Sequence, residues 1–229
     1  MYRVLQRTYY RARYVTERIV GTRLNELVWQ AKGIDRAGGG ALEHPHRAFL
    51  VERIGRPVTP AAVLEVGCNA GHNLLVLSRR FPGVRLSGID ISDRAVRAAR
   101  ETLAEHGITD AHLVTGSASD LGAFSDASVD VGFSDATLMY VGPDQIRRAL
   151  AELVRVTRHR VMLNEWHFFG RPDQGSASWW YDAHWVHDYV ELLKAIPRVT
   201  SVRAERLPAD LWGGGGWLEH GALIEANIA

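Results

Sequence analysis

Val63-Leu64-Glu65-Val66-Gly67-Cys68-Asn69-Ala70-Gly71-His72-Asn73 is the stretch on which the fold of this chain turns. A short apolar run at 62–66 stops at one glycine, a second glycine follows at Gly71, and a helical pattern over 73–81 begins at once. Two such glycines let the backbone approach a ligand closely, and the first turn of the helix offers unpaired amide donors. A second apolar run, 84–89, ends at Asp90, where a carboxylate can accept hydrogen bonds from ribose hydroxyls. This is the pattern of a nucleoside site at the carboxyl ends of parallel strands.

Working outward, the same alternation continues. Ser92 is placed to cap a helix over 93–105 that Gly107 closes, and strands are expected at 111–115, 129–133 and 160–163. Asp144 is expected to cap a helix running to about residue 157. Strands alternating with helices of this length predict an α/β fold, a doubly wound and mostly parallel sheet covered on both faces. Beyond residue 165 the character changes. Six of the seven tryptophans lie there, and the pattern predicts a helix over 185–196 and strands over 199–207 and 222–228, with a glycine turn at 213–216.

Three nucleotide chemistries compete for the glycine turn. A dinucleotide fingerprint needs glycines where Asn69 and His72 stand, and a phosphate-cradling P-loop needs a Gly-Lys-Ser/Thr run that His72-Asn73 does not supply. The ligand left standing carries a ribose and no diphosphate.

At these residues the sequence resembles the class I S-adenosylmethionine-dependent methyltransferases of small-molecule type, from about Val63 to Glu165. Glu65 to Gly71 is similar to the family's first motif, and Asp90-Ile91 to its ribose acid and the residue packing on adenine. Gly116-Ser117-Ala118 resembles the third motif, with Ser117 where the family usually has an acid facing the adenine amino group. Residues 128–141 resemble the fourth strand and its exit loop. The resemblance implies S-adenosylmethionine as cofactor, held by Glu65, Gly67, Asn69, Gly71, Asp90, Ile91, Ser117, Ala118, Ser134 and Asp135. It also implies a Rossmann-like seven-stranded sheet in order 3-2-1-4-5-7-6 with an antiparallel last strand.

Methyl transfer rewards in-line positioning, and a hydroxyl acceptor also benefits from a base. Glu165 and His167, after the fifth strand, are the alternative bases, with Glu165 favoured as the more rigidly held. O-methylation of a small molecule in biosynthesis is therefore expected, with C- or N-methylation of a hydrophobic acceptor and a non-catalytic binding module as alternatives. His184 and His187, beside Asp182 and Asp188, have a spacing compatible with a metal on one helix face. Methyl transfer demands none, and none is expected.

The remaining regions set the boundaries. Residues 1–32 read as one amphipathic helix with Arg3, Arg7, Arg11 and Arg18 opposite an apolar arc, followed by glycines at 33 and 38–40 and a short helix over 47–54. This gives a helical cap and hinge at 1–56 and a methyltransferase domain at 57–229, with an aromatic lid at about 166–190. The basic helix could pack on its own domain or a second subunit, close over the ligands, or lie on an anionic membrane surface. A net charge of +1 argues against nucleic acid as partner, and the single Cys68 suits a reducing compartment. No run approaches the roughly 18 apolar residues of a membrane span, so a cytoplasmic protein is expected.

Overall fold

The computed structural model describes residues 15–16, 21–31, 42–170, 177–212 and 214–229. In chain order the described elements are α1 (Arg23–Ala31), α2 (Pro45–Ile54), β1 (Ala62–Val66), α3 (His72–Arg80), β2 (Arg85–Asp90), α4 (Asp93–Ala104), β3 (His112–Thr115) and β4 (Val129–Asp135). A short 3-10 turn (Leu138–Tyr140), α5 (Ile146–Val156), β5 (Thr157–Trp166), β6 (Ser178–Tyr181) and β7 (His184–His187) come next. The chain closes with α6 (Tyr189–Lys194), β8 (Val199–Arg206), α7 (Gly216–His220) and β9 (Gly221–Ile228).

Seven strands form one sheet in the order β3-β2-β1-β4-β5-β9-β8. β1 to β5 run parallel, and β9 is antiparallel to both of its neighbours. The order is the one the family resemblance implies. Every residue of β1 is buried, as expected of a central strand covered on both faces. The pleat sends neighbours to opposite layers. Val63 joins Leu50 of α2 and Leu74 of α3 on one face, whereas Leu64 joins Leu150 and Leu153 of α5 on the other.

Three expectations are corrected. The N-terminal helix is not continuous to residue 32: Gly21, at φ 70°, and Thr22 form a turn, and α1 starts only at Arg23. Residues 1–14, 17–20 and the glycines at 33 and 38–40 lie outside the described residues. Asp144 does not cap α5, whose N-cap, Gln145, makes no side-chain bond. The Asp144 carboxylate instead takes the Thr22 amide at 3.1 Å and the Thr22 hydroxyl at 2.7 Å. Residues 185–187 are not helical either. They pair with β6 in a hairpin turned by Asp182 and Ala183, both at positive φ, and the helix begins only at Tyr189, capped by Asp188.

Candidate cofactor and acceptor site

The loop leaving β1 carries three left-handed residues, Gly67 (φ 80°), Asn69 (43°) and Gly71 (77°). Asparagine is one of the few side chains that adopt this conformation readily, so Asn69 fills the family's glycine position without disrupting the turn. The Gly67 and Cys68 amides donate to the Ile89 carbonyl at 2.7 and 3.1 Å, which ties the turn to β2. A Cβ on Gly67 would collide with the Thr137 side chain. Gly71 caps α3 and donates to the Cys68 carbonyl at 2.8 Å; it shapes the turn from behind.

Asp90 ends β2 with both carboxylate oxygens oriented by backbone. Asn69 N–H donates to one oxygen and Ser92 N–H to the other, each at 2.9 Å. Burial raises its pKa, and these two bonds partly offset the shift.

Behind the turn lies a polar network. Asn73 Nδ2 donates to Glu65 Oε1 at 2.6 Å and to Asp135 Oδ2 at 2.9 Å, and Arg47 donates to Asn73 Oδ1 at 2.5 Å. His46 Nε2 meets Asp135 Oδ2 at 2.8 Å, and Asn164 donates to Asp135 Oδ1 at 2.6 Å. Burial tends to raise the Asp135 pKa, but the His46, Asn73 and Asn164 bonds prevail and leave it below the ordinary value. Glu65 has fewer partners, and burial pushes it up to about 8 despite the Asn73 bond. Its Oε2 is buried and has no hydrogen-bond partner among the described residues.

These groups enclose a cavity of about 330 Å³, within the range of small-ligand sites. Glu65, Gly67, Asn69, Asp90, Ile91, Ser117, Ala118 and Asp135 all line it, whereas Gly71 and Ser134 do not. Ser134 is fully buried, and its hydroxyl donates to Glu165 at 2.9 Å.

Neither expected base reaches the cavity. Glu165 is 0% exposed, and its two oxygens accept from Ser134 and from the amides of Thr137, Leu138 and Met139 at 2.9–3.1 Å. Burial pushes its pKa up to about 7, opposed by those bonds. His167 is buried against the His187 carbonyl, at 3.2 Å, and burial lowers its pKa. The fifth strand continues three residues beyond 163, and its far end is covered by β7 and by His220.

The sequence reading missed several lining residues: Thr22, Asn25, Glu26 and Trp29 from the N-terminal segment, His46 and Arg47 from α2, Tyr140, and Trp212. Trp212 stacks on His46, with ring centroids 4.3 Å apart, and on Trp217 at 4.4 Å. The Tyr140 hydroxyl lies 3.2 Å from His184 Nε2, while His184 Nδ1 lies 2.6 Å from the Asp182 carbonyl. A carbonyl only accepts, so the proton sits on Nδ1 and Nε2 accepts from Tyr140. His184 and His187 thus face separate partners, His187 bonding Ser178 and the Val141 carbonyl. No group of three or more His, Cys, Asp or Glu is arranged to hold a metal among the described residues.

A sheet of this order, with a glycine turn, a strand-end acid and a nucleoside-sized cavity, defines the class I methyltransferase fold. Residues 63–160 match the methyltransferase-domain family, and the fold is similar to that of solved S-adenosylmethionine-dependent methyltransferases. Geranyl diphosphate C-methyltransferase from Streptomyces coelicolor has a similar structure, with TM-score 0.66 and 16% identity over 91% of this chain and 98% of that one. Magnesium protoporphyrin IX methyltransferase from Synechocystis, solved with bound S-adenosylmethionine, is similar at TM-score 0.64 and 14% identity, over 91% and 97% of the two chains. Ribosomal RNA small subunit methyltransferase C of Escherichia coli is 46% identical over 52 residues, 23% of this chain and 15% of its own. The chain spans less than half the length of the curated relatives it matches.

Proposed function

We propose that the protein transfers a methyl group from S-adenosylmethionine to the hydroxyl of a small apolar or ring-containing acceptor, as a biosynthetic enzyme of the cytoplasm. The observation that carries this reading is the unpartnered, buried Glu65 Oε2, beside a cavity that Asp90 and the glycine turn also line. A buried carboxylate oxygen without a donor is costly, and an ammonium group would satisfy it. Asp90 and Asp135 make the cavity unfavourable for a diphosphate, and Glu65, whose ionised form a bound cation favours, suits a cationic nucleoside.

When bound, S-adenosylmethionine supplies an electrophilic methyl on a sulfonium. The chain's own residues supply position. Glu65 and Asp135 would face the amino-acid end, with Arg47 as the nearby cation, and Asp90 would accept from the ribose hydroxyls. Gly67 leaves the space a side chain would fill. Glu165 gathers three successive amides, from Thr137 at the start of the 3-10 turn and from Leu138 and Met139 within it, and we assign it and His167 to holding that turn and the lid, not to proton removal. The turn presents Tyr140 to the cavity, and the Tyr140–His184 pair is our candidate for receiving the acceptor proton. Trp29, Tyr140 and Trp212 favour a small apolar acceptor over a nucleic acid. Residues 1–56 are assigned to the cap and 57–229 to the catalytic domain, with the lid at about 166–190.

Incubation with methyl-tritiated S-adenosylmethionine and probes of three kinds (phenols, amines, apolar alkenes) tests this reading. Label on phenolic oxygen supports it. Label only on nitrogen or carbon overturns the oxygen assignment, and cofactor binding without transfer to any probe favours a binding module.

A further inference from the structure

The helix α1 is attached to the rest of the chain in an unusual way. Its apolar Leu27 and Val28 are 54% and 44% exposed, and the segment docks largely through polar groups. Thr22 bonds Asp144 and the Gly142 amide, Asn25 donates to the Tyr140 carbonyl at 3.0 Å, and the Ser117 hydroxyl donates to Glu26 Oε1 at 2.8 Å. All three of these residues, Thr22, Asn25 and Glu26, also line the cavity.

The Glu26 contact lies at one particular end. Asp90 pairs in register with Thr115, and the Gly116 amide donates to the Asp90 carbonyl at 2.9 Å. A ribose held at Asp90, with its amino-acid arm towards Glu65 on β1, therefore sends its base over Gly116-Ser117-Ala118 beside Ile91. Among the described lining residues, Glu26 is the carboxylate that bonds this loop through a side chain. The Ser119 amide donates to Ser117 Oγ at 3.3 Å, which leaves the Ser117 proton for Glu26. Glu26 Oε2 accepts no hydrogen bond among the described residues.

We infer that Glu26 selects the nucleobase: its carboxylate accepts from the exocyclic amine of adenine, so that docking of α1 and recognition of the base are one event. The inference rests on the proposed cofactor and deepens it. A carboxylate accepts from an amine, but at the exocyclic position it meets another acceptor when the amine is replaced by a carbonyl oxygen, the nearest donor then being the ring N1–H one position away. Discrimination follows because the mismatched group is left unpaired in a closed site.

Calorimetric titration of the whole chain with S-adenosylhomocysteine and with its 6-oxo analogue, S-inosylhomocysteine, tests the inference without needing an acceptor. The unmodified protein is expected to prefer the adenosyl ligand by about tenfold or more, the range of a hydrogen bond to a charged group. Glu26→Gln should reduce the preference to within about threefold, since an amide can turn to donate or accept. Adding Ser117→Asp to that variant should restore it. A preference unchanged by Glu26→Gln, with both ligands weakened equally, would mean that Glu26 only docks the helix, and would overturn the inference. Equal binding of both ligands to the unmodified protein would overturn it too. Failure of either ligand to bind that protein would instead strike at the cofactor assignment.

Discussion

The part of the cavity we assign to the nucleoside and the part we assign to the acceptor are built by different means. Glu65, Gly67, Asn69 and Asp90 come from two neighbouring strands and the turn between them, and backbone hydrogen bonds set their geometry. The proposed acceptor end draws Trp29, His46, Tyr140 and Trp212, with His184 behind Tyr140, from five distant segments held by side-chain contacts between rings. A backbone-built site tolerates changes elsewhere but not within the turn. A side-chain-built site can lose one member while the cofactor end stays intact. The two ends should therefore fail separately.

The sharpest break is expected at Gly67→Val. A branched side chain there meets Thr137 and must adopt φ near 80°, so cofactor binding should be lost by about 100-fold or more. Near-ultraviolet circular dichroism of the tryptophan cluster should barely change, and a calorimetric titration checks the binding. At the other end, Tyr140→Phe should slow transfer to a hydroxyl acceptor by about 10²–10⁴-fold, the usual contribution of a positioned base. Its affinity for S-adenosylhomocysteine should stay within a factor of about two. Loss of both properties together would mean that the two ends are one unit.

Asp90→Ala comes next, with an expected loss of about 1.5–3 kcal/mol in cofactor binding from charge-assisted hydrogen bonds. The smallest effect is a pH dependence. Burial pushes Glu65 up to about 8, so it is largely protonated at pH 7, and a cationic ligand would favour its ionised form. Binding then releases a proton, so affinity should fall as pH drops below about 8, by up to about tenfold per unit. The same titration in buffers of different ionisation enthalpy counts the proton. Glu65→Gln should flatten the dependence, whereas Tyr140→Phe should leave it unchanged.

The same contrast explains how much was legible in the sequence. Residues 62–105 could be read almost to their ends because strand period, Ser92 cap and glycine stops are local signals. Eight of the ten expected cofactor contacts line the cavity, all of them near strand ends. Asp144 was misread because a carboxylate before a helix has two uses, and the competing donor, Thr22, lies 122 positions away. The run at 185–188 satisfies a helical period, but its alternating buried rings pair across β6, a contact that no local pattern announces. Glu165 ends a strand beside the crevice, as a base would. Its role depends on three amides from the loop after β4, visible only in the fold. His46 and Arg47 follow Pro45 in a helix with no marked pattern of their own, and the turn at Gly21 was hidden within an apparently continuous amphipathic stretch.

The central claim is that the cavity between Glu65 and Asp90 holds S-adenosylmethionine. It is tested most directly by calorimetric titration of the protein with S-adenosylmethionine and S-adenosylhomocysteine beside ATP and NAD. The account predicts saturable binding of the first two, one per chain, abolished by Gly67→Val, and no measurable heat from the two phosphate-bearing ligands. Equal binding of NAD or ATP, or no binding of either sulfur ligand to the folded chain, would contradict it.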